Sequence, residues 1–579
     1  MRTERLRIIA AVLAALLTIA SAPASAQDVA GYWRGTLKVN EQVTLRIGVH
    51  VEKGPEGAFH ATLDSPDQNA FDLPIAEVKQ EDGTFAFTMT APAASYSATW
   101  DAADHAWHGT WAQGGASWPL LLTAGEPFAH TAPPPLPADW SLPSNGDLAA
   151  LIDTRIAQRK GAGMVIGVIG PGERRVIARG PAGVPPFDGD TEFEIGSMTK
   201  VFTSLILADM VLKHEVSLDD PAQKYLPAGA TMPRRDGKQI TLRNLALQDS
   251  GLPRLPDNMP FGDPQDPYAD YTEADLLAFL GSYRLPRDPG SQYEYSNLGF
   301  GLLGYLLARA AHTDYATLLR DRITGPLGMT DTAIALSPGQ KQRFATPYDT
   351  YMRPTKPWRL PTLAGAGAMR STGNDMLKFL AAALDPKSKI APLMALTLSD
   401  RRKDNPRVPT ALGWSVLGAP TGEVLMKDGG TGGFRSDMAL QSATGRAVVV
   451  LTNAAVEPSA TDIALHALIG SPVATAGPVP PAPPPPSRHS EITLTPAQLG
   501  HVVGTYRLAP GLEMAIRLDG DHLVAQITGQ PALPIFAESP LSFFWKAVDA
   551  QVRFVEEGGK VTGAVFSQSG RTTDAKKVE

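Results

Sequence analysis

The sequence predicts a large α+β domain with a small all-β domain at each end. The chain has 579 residues, more than one ordinary hydrophobic core organises, so several modules are expected. Two Pro-rich stretches interrupt it, at residues 131–137 and 477–486. In the segments before the first stretch and after the second, apolar residues alternate with a period of two. In the segment between the two stretches, helical and strand patterns follow one another.

These Pro-rich stretches are typical of stiff, extended linkers. They predict an N-terminal β domain at residues 28–126, a central domain at 140–475 and a C-terminal β domain at 488–579. Residues 476–487 form the longer predicted linker.

Composition and charge narrow the class of protein. With 43% hydrophobic and 19% charged residues the chain is typical of globular proteins. Its formal net charge of -7 makes nucleic acid an unexpected partner. The absence of cysteine excludes disulfides, thiol nucleophiles, cysteine metal sites and a lipidated N-terminal cysteine.

Residues 1–26 resemble a secretory signal. Three arginines among the first seven residues precede an apolar run from Ile8 to Ala20, and small residues at Ala24-Ser25-Ala26 suit cleavage. The run is short for a bilayer span, and no other stretch approaches the 18 or so uninterrupted apolar residues that a span needs. The sequence therefore predicts an exported protein, periplasmic or secreted, with no transmembrane segment in the mature chain.

The flanking segments have the pattern of antiparallel strands. Apolar and polar residues alternate, with β-branched and aromatic residues, between turn residues. The clearest cases are Val43–Val49 and Thr84–Met89 in the first segment, and Glu513–Leu518, His522–Ile527 and Val552–Phe554 in the last. Both ends are predicted to be small β-sandwiches or barrels.

The middle segment mixes helices and strands. A helix from about Asp147 to Arg159 places four aliphatic residues on one stripe. Met164–Ile169 and Val176–Ala178 are apolar runs joined by a Pro-Gly-Glu turn, which indicates a hairpin. Further strands are predicted at 423–426, 438–441 and 447–451. A large α+β domain follows.

Ser197 and Lys200 form the first candidate pair for chemistry. They lie where an extended segment ends at Gly196 and a long apolar helix begins near Met198. One helical turn separates them, so both side chains lie on the same face. A serine becomes nucleophilic when a neighbour takes its proton, and a lysine whose pKa is lowered can do so. The helix N-terminus favours a developing alkoxide.

Tyr295 and Asn297 form the second candidate pair for chemistry. A loop before a helix starting near Leu298 presents them. The Tyr295 phenol is a candidate proton carrier between Ser197 and a leaving group, and Asn297 is a candidate donor to a substrate carbonyl.

The third candidate segment is Lys427 to Phe434. Lys427 ends an apolar stretch, and the glycines that follow allow a substrate to approach the backbone. The amides of Gly430 and Ser197 are natural candidates for an oxyanion hole. Thr431 belongs to the same segment and is a candidate substrate contact.

Taken in this order, the three segments resemble the serine penicillin-recognising enzymes. Residues 140–475 are similar to the serine β-lactamase-related family, which holds class C β-lactamases, D-Ala-D-Ala carboxypeptidases, D-aminopeptidases and β-lactamase-fold esterases. Supporting matches lie at Leu218–Pro221, Asp249–Pro253, Pro326–Met329 and Gly365–Thr372.

The resemblance implies a β-lactamase/transpeptidase-like fold, with a mixed antiparallel sheet flanked by helices. It implies that Ser197 is the acylated nucleophile, that Lys200 and Tyr295 carry protons, and that Lys427 is the cation of the third motif.

Asp428 departs from the family pattern, in which Thr or Ser follows this lysine. A hydroxyl there donates to a substrate carboxylate, whereas an ionised aspartate repels one, which disfavours efficient β-lactam hydrolysis. Three alternatives stay open: Asp428 pairs with Lys427, it binds a substrate amine, or Arg435 replaces the lost carboxylate contact.

Two other patterns are assigned to structure and not to function. Gly299–Gly304 has the spacing of a dinucleotide fingerprint, but no strand precedes it, so helix packing explains it. His105 and His108 lie in an aromatic strand region without an acidic helix motif, so no metal site is predicted. No cofactor is expected.

The sequence thus predicts an exported serine hydrolase that forms an acyl-enzyme at Ser197 and acts on D-amino acid peptides or small esters and amides. The alternatives are a class C-like β-lactamase and a non-catalytic, penicillin-binding-like protein. The expected partner is a small-molecule or peptide substrate. The oligomeric state and the roles of the flanking domains are not determined by the sequence.

Overall fold

The computed structural model describes most of the chain from residue 28 to residue 578. The described ranges are 28–39, 44–54, 58–68, 70–81, 83–90, 93–113, 116–128, 136–181, 186–260, 262–403, 408–479, 489–509, 512–520, 522–528, 532–546, 550–568 and 571–578. The predicted signal segment 1–26 and most of both Pro-rich stretches lie outside them. Among the described residues, no helix has both the length and the apolar character needed to cross a bilayer.

The N-terminal segment forms one antiparallel sheet of nine strands, in the order β4-β3-β2-β1-β9-β8-β7-β6-β5. The strands are β1 Gly31–Lys38, β2 Thr44–Lys53, β3 Phe59–Ser65, β4 Ala70–Pro74, β5 Glu77–Glu81, β6 Thr84–Thr90, β7 Ala93–Asp101, β8 Ala106–Gln113 and β9 Ala116–Ala124, with a 3₁₀ turn at Pro66–Gln68. Alternate residues such as Trp33, Val49 and Trp107 are buried on one face, as the period-two pattern predicts.

The middle segment is built on an eight-stranded antiparallel sheet, in the order β11-β10-β21-β20-β19-β18-β17-β16. Its strands are β10 Met164–Gly170, β11 Glu173–Arg179, β16 Arg401–Arg402, β17 Thr410–Ala411, β18 Ser415–Ala419, β19 Gly422–Gly430, β20 Arg435–Gln441 and β21 Arg446–Thr452. Two-stranded ribbons pair β12 Glu192–Glu194 with β15 Arg370–Thr372, and β13 Arg234–Arg235 with β14 Lys238–Gln239.

Helices cover both faces of this sheet. They span Asn145–Ile156, Thr199–Leu212, Leu242–Leu247, Glu273–Ser282, Asn297–Ala310, Tyr315–Leu319, Pro338–Gln342, Ala364–Gly367, Gly373–Leu384, Ala391–Ser399 and Thr461–Ile469, with shorter turns at Gly196–Met198, Ala222–Tyr225, Arg320–Thr324 and Ser442–Thr444. Strand β21 alternates between two cores: Val448 and Val450 pack with Ile152 and Ile463, whereas Val449 packs in the larger cluster on the other face.

The helix Thr199–Leu212 lies inside the larger core. Nearly every side chain on it is buried, including the polar Lys200, Thr203 and Ser204. A helix that is apolar on all sides is typical of a domain interior. The residue at its first turn is therefore held by packing on every side, which is what a preorganised catalytic group requires.

The C-terminal segment closes into a barrel of eight strands after a short helix, Pro496–His501. The strands are β22 Gly504–Ala509, β23 Leu512–Asp519, β24 His522–Ile527, β25 Leu533–Ser539, β26 Ser542–Phe544, β27 Ala550–Glu557, β28 Lys560–Gln568 and β29 Arg571–Lys577. Neighbours in sequence pair, and β22 closes the ring with β29 at Tyr506 and Lys577.

The predicted fold class is confirmed: an α+β domain of β-lactamase/transpeptidase type with all-β segments at both ends. By compactness the chain divides into two units. One contains the described residues of 28–128, 489–544 and 550–578, and the other contains those of 136–479 with 545–546. The three-domain division at 126, 140, 475 and 488 stays a prediction.

Candidate active site

The predicted nucleophile lies in the 3₁₀ turn Gly196–Met198 that leads into the helix Thr199–Leu212. Lys200 follows one turn later, and its Nζ donates to Ser197 Oγ over 3.0 Å. Gly196 has a φ of +49°, and a Cβ there would lie 2.6 Å from the Gly430 nitrogen. Glycine is therefore required at position 196, both for its backbone conformation and for the close approach of the third segment.

Lys200 is fully buried, and it finds an acceptor for each of the three hydrogens of an ammonium group. Its Nζ donates to Ser197 Oγ, to Asn297 Oδ1 over 2.9 Å and to the Ala366 carbonyl oxygen over 2.7 Å. Burial and, to a smaller extent, the charge of Lys427 lower the pKa of Lys200 to about 8, although Tyr295 opposes them. The contacts match a protonated lysine whose proton is held less tightly than usual.

Tyr295 reaches the nucleophile from the loop before the helix Asn297–Ala310. Its hydroxyl donates to Ser197 Oγ over 2.6 Å. Three cations surround its ring, at distances from the ring centroid of 4.9 Å for Lys200 Nζ, 5.3 Å for Lys427 Nζ and 5.0 Å for Arg254 Cζ. Burial raises the pKa of Tyr295, but the charges of Lys200 and Lys427 outweigh it and bring the pKa down to about 8.

Asn297 forms a hydrogen bond with Lys200. Its Oδ1 accepts from Lys200 Nζ, and its Nδ2 donates to the Tyr268 hydroxyl over 3.1 Å. Ser296, and not Asn297, caps the helix, because Ser296 Oγ accepts from the Gly299 amide over 2.8 Å. The predicted contact of Asn297 with a substrate carbonyl stays a prediction beside this observed structural role.

The third motif lies against the turn that carries Ser197. A Cβ at Gly429 would lie 2.1 Å from the Ile195 carbonyl oxygen, and Ser436 Oγ donates to the same oxygen over 2.9 Å. The end of β19 is thus anchored beside the nucleophile, with the Gly430 backbone next to Gly196. Only glycines permit this approach, as the sequence pattern indicates.

Lys427 and Asp428 pair with each other. Lys427 is 6% exposed, and its Nζ lies 3.3 Å from Asp428 Oδ1. Burial lowers the pKa of Lys427, but the Asp428 carboxylate outweighs it and raises the pKa. The Lys427 charge in turn lowers the pKa of Asp428. The first of the three alternatives for Asp428 is therefore present in the structure.

The Arg435 guanidinium already has partners within the protein, so it is not freely available to bind a substrate carboxylate. Its Nε donates to Glu457 Oε1 over 2.8 Å, and its Nη1 donates to the carbonyls of Thr431 and Phe434, each over 2.9 Å. Thr431 itself is only 5% exposed. The predicted contact of Thr431 with a substrate stays a prediction beside this burial.

Several contacts in the site were not singled out from the sequence. Arg254, Tyr268, Trp358 and the Ala366 carbonyl all touch the site or its nearest residues; Tyr268 and Trp358 pack at 5.3 Å between ring centroids. Two of them had a sequence signal. Arg254 directly follows the family-like segment Asp249–Pro253, and Ala366 lies within Gly365–Thr372.

The two patterns assigned to structure are each explained by local packing or exposure. Gly304 lies within the helix Asn297–Ala310, where a Cβ would lie 2.9 Å from the Gly365 Cα, so close helix packing explains it. His108 is within 4.8 Å of the carboxylates of Asp101 and Asp104, and all three are exposed. Exposed clusters of this kind occur without an ion, and the site around Ser197 contains lysines and a tyrosine, not a set of metal ligands.

Known protein families and proteins are similar to this chain over the segment that carries the site. The family model described as Beta-lactamase matches residues 148–471, and one described as a domain of unknown function, DUF3471, matches residues 488–577. The chain is 35% identical over 280 residues to the D-alanyl-D-alanine-carboxypeptidase/endopeptidase AmpH of Escherichia coli strain K12, covering 45% of this chain and 71% of that protein.

Two further proteins are similar. Penicillin-binding protein 4* of Bacillus subtilis strain 168 is 24% identical over 419 residues, covering 68% of this chain and 89% of that protein. A solved structure of a β-lactamase/D-alanine carboxypeptidase from Yersinia pestis, complexed with citrate, is 26% identical with a TM-score of 0.47, covering 55% of this chain and 95% of that chain.

Proposed function

Because the chain belongs to the β-lactamase family of serine hydrolases, we propose that it hydrolyses D-amino acid peptides or small esters and amides through an acyl-enzyme at Ser197. One observation carries the proposal. Ser197 Oγ lies within hydrogen-bond distance of both Lys200 Nζ and the Tyr295 hydroxyl. A serine between two groups that can carry protons is the arrangement that nucleophilic catalysis requires.

Tyr295 is the better base of the two. The three hydrogens of the Lys200 ammonium already have acceptors, so this group stabilises negative charge nearby instead of taking a proton. The lysine charges lower the pKa of Tyr295 to about 8, which makes its phenolate accessible near neutral pH. The phenolate takes the Ser197 proton as Oγ attacks the substrate carbonyl.

The remaining steps follow from microscopic reversibility. The protonated Tyr295 gives its proton to the leaving amine or alcohol as the bond to the carbonyl carbon breaks, which leaves an ester on Ser197. Tyr295 then accepts a proton from water, whose oxygen attacks the ester, and returns it to Ser197 Oγ. Every proton that Tyr295 takes is given back within one cycle.

The carbonyl oxygen becomes negatively charged during each attack. The amides of Ser197 and Gly430 are the proposed donors to it. Support comes from the packing of the two backbones, since a Cβ at Gly196 would lie 2.6 Å from the Gly430 nitrogen. Lys427, 5.3 Å from the Tyr295 ring centroid, adds positive charge to the site.

Among substrates we favour peptides over β-lactams. The AmpH relative is named a D-alanyl-D-alanine carboxypeptidase/endopeptidase. The Asp428 carboxylate, 64% exposed beside Lys427, occupies the position where a hydroxyl would bind the carboxylate of a β-lactam. A non-catalytic binding protein is disfavoured, because a site without turnover has no chemical need to keep Ser197, Lys200 and Tyr295 in contact.

The test is acylation and turnover by the full mature chain. Mass spectrometry after mixing with a fluorescent penicillin, and product assays with p-nitrophenyl butyrate and N-acetyl-D-alanyl-D-alanine, are compared for wild type, Ser197→Ala and Ser282→Ala. Ser282 is an exposed serine on another helix, so Ser282→Ala matches the change without touching the site.

We expect ester and peptide turnover, and a penicillin adduct that clears slowly, in wild type and Ser282→Ala, and none of these in Ser197→Ala. Rapid clearance of the penicillin adduct would instead favour the β-lactamase alternative. A wild type that forms no adduct and turns over neither substrate would favour the non-catalytic binding protein.

We also propose that the protein acts outside the cytoplasm, in the periplasm or the medium, after removal of residues 1–26. The support is the composition of that segment, with arginines before an apolar run and small residues after it. Cell fractionation with N-terminal sequencing of the exported form tests this. A full-length chain retained in the cytoplasm would contradict it.

A further inference from the structure

Arg254 is a cation of this site whose side chain has no hydrogen-bond or ion-pair partner among the residues that the structure describes. Three positive groups surround the Tyr295 ring, and two are already engaged: Lys200 with three acceptors, and Lys427 with the Asp428 carboxylate. Among the described residues, the Arg254 side chain has no carboxylate or hydrogen-bond acceptor. Its guanidinium lies over the Tyr295 ring, with 5.0 Å from Cζ to the ring centroid.

The backbone of Arg254 is hydrogen-bonded to the start of the helix Asn297–Ala310. Its carbonyl oxygen accepts from the amide of Asn297 over 3.0 Å and from the amide of Leu298 over 3.2 Å. These are the first residues of the helix that presents Asn297 to Lys200. The guanidinium is therefore positioned by the same element that builds the site, while its side chain remains exposed to solvent.

The Arg254 charge acts on the reacting groups. It contributes to lowering the pKa of the Lys200 ammonium, as a nearby like charge does. A guanidinium that faces solvent over the Tyr295 ring is also well suited to a carboxylate, because its planar donors bind both oxygens at once. The hydroxyl that binds a carboxylate in many relatives is replaced here by Asp428.

We propose that Arg254 recognises the free C-terminal carboxylate of the substrate. This inference rests on the proposed function for its reaction but concerns binding alone. Arg254 supplies the contact that Asp428 cannot make, and a peptide whose terminus is blocked as an amide loses that contact.

The experiment measures binding without turnover. Titration calorimetry of the full-length Ser197→Ala protein compares N-acetyl-D-alanyl-D-alanine with its C-terminal amide. The same pair is titrated into Ser197→Ala/Arg254→Gln, Ser197→Ala/Arg254→Lys and a matched control, Ser197→Ala/Arg234→Gln. Arg234 is an exposed arginine in the short ribbon β13–β14.

We expect the acid to bind about tenfold or more tightly than the amide in Ser197→Ala and in the Arg234→Gln control, as loss of a charge-assisted contact implies. Arg254→Gln removes this preference, and Arg254→Lys keeps part of it. The proposal is overturned if Arg254→Gln keeps the full preference, if Ser197→Ala shows no preference, or if neither peptide binds.

These outcomes are separate from those that test the reaction. A wild-type protein that fails to cleave the peptide but whose Ser197→Ala form binds the acid through Arg254 would contradict the proposed peptidase activity and support the carboxylate contact. Conversely, turnover of acid and amide at equal rates by wild type and Arg254→Gln would support the hydrolase and overturn the role of Arg254.

Discussion

The hydroxyl of Tyr295 lies 2.6 Å from Ser197 Oγ, although the two residues are 98 positions apart in the chain. The contact joins the loop before one helix to the turn before another. It gives the serine a partner whose pKa is lowered to about 8 by two lysine charges. In the proposed mechanism, proton transfer at Ser197 therefore depends on the charges around one phenol ring.

Tyr295→Phe tests this dependence. The variant keeps the ring and its cation contacts but removes the proton carrier, so kcat on p-nitrophenyl butyrate should fall at least about 100-fold. Tyr305→Phe is the matched control, since the Tyr305 hydroxyl bonds Glu273 on the surface. A loss of less than a few-fold in Tyr295→Phe would assign the proton transfer to Lys200.

The pH profile of kcat/KM should show an ascending limb with an apparent pKa near 8, because the pKa values of Lys200 and Tyr295 are both lowered to about 8. The value belongs to the coupled pair. Lys427→Gln removes a positive charge that lowers both pKa values, so both should rise and the limb should move to higher pH. Lys224→Gln, which removes an exposed lysine paired with Asp220, should leave the limb in place.

Asn297→Asp tests the role of Asn297 as a support for Lys200. A carboxylate 2.9 Å from Lys200 Nζ would raise the pKa of Lys200 and oppose formation of the Tyr295 phenolate. The limb should again shift to higher pH, and kcat/KM near neutral pH should fall about tenfold or more. Asn258→Asp, at an exposed amide that bonds the Asp275 carbonyl, is the control. An unshifted limb with a raised KM would favour a substrate contact instead.

Asp428→Thr introduces the hydroxyl that the resemblance to the family leads us to expect after Lys427. The change removes a carboxylate 3.3 Å from Lys427 Nζ and provides a donor for a substrate carboxylate. Acylation by a fluorescent penicillin should accelerate about tenfold. Asp321→Thr is a close control, because Asp321 also pairs with its chain neighbour, Arg320, over 2.7 Å. Slower acylation in Asp428→Thr would mean that Asp428 itself contributes to the site.

Glu192 should make the protein less stable as the pH rises. Both of its carboxylate oxygens are buried without a hydrogen-bond partner among the described residues. Burial raises the pKa of Glu192 to about 8, and Asp331 adds to the rise. Because the folded state holds the proton more tightly than the unfolded state, this stability is full at acidic pH and is lost as the pH rises through about 8.

Glu192→Gln replaces the titrating carboxyl with an amide that stays neutral at every pH. Its free energy of unfolding should exceed that of the wild type by about 1–3 kcal/mol at mildly alkaline pH, and the difference should shrink at acidic pH. Urea denaturation at several pH values measures it. Glu173→Gln, at an exposed position in β11, should follow the wild type. Equal pH dependence in wild type and Glu192→Gln would show that the buried carboxyl does not control stability.

Much of the local structure was predicted from the sequence. Period-two alternation predicts the strands at both ends, and the apolar run after Gly196 predicts the helix Thr199–Leu212. The contact between Ser197 and Lys200 was also predictable, because one helical turn fixes their spacing. The closed form of the C-terminal barrel was not, since alternation is the same for a sandwich and a barrel.

The contacts that tune the site were not predicted from local pattern. Asn297 has the same neighbours in sequence whether it faces substrate or Lys200, and only packing shows that Tyr268 takes its other side. Asp428 had three alternatives, of which the structure contains the pair with Lys427. Arg254 follows a family-like segment, yet nothing in that segment indicates that its guanidinium lies over the Tyr295 ring.

The sequence by itself determined which residues are candidates for the chemistry, because a nucleophile, a proton carrier and a glycine-rich approach require particular side chains at particular local spacings. Only the tertiary structure decided their electrostatics. Lys200 is satisfied by the Ala366 carbonyl 166 residues away, and the Tyr295 ring collects three cations from separate segments. A pKa depends on burial and on charges within a few ångströms, and packing alone brings those charges together.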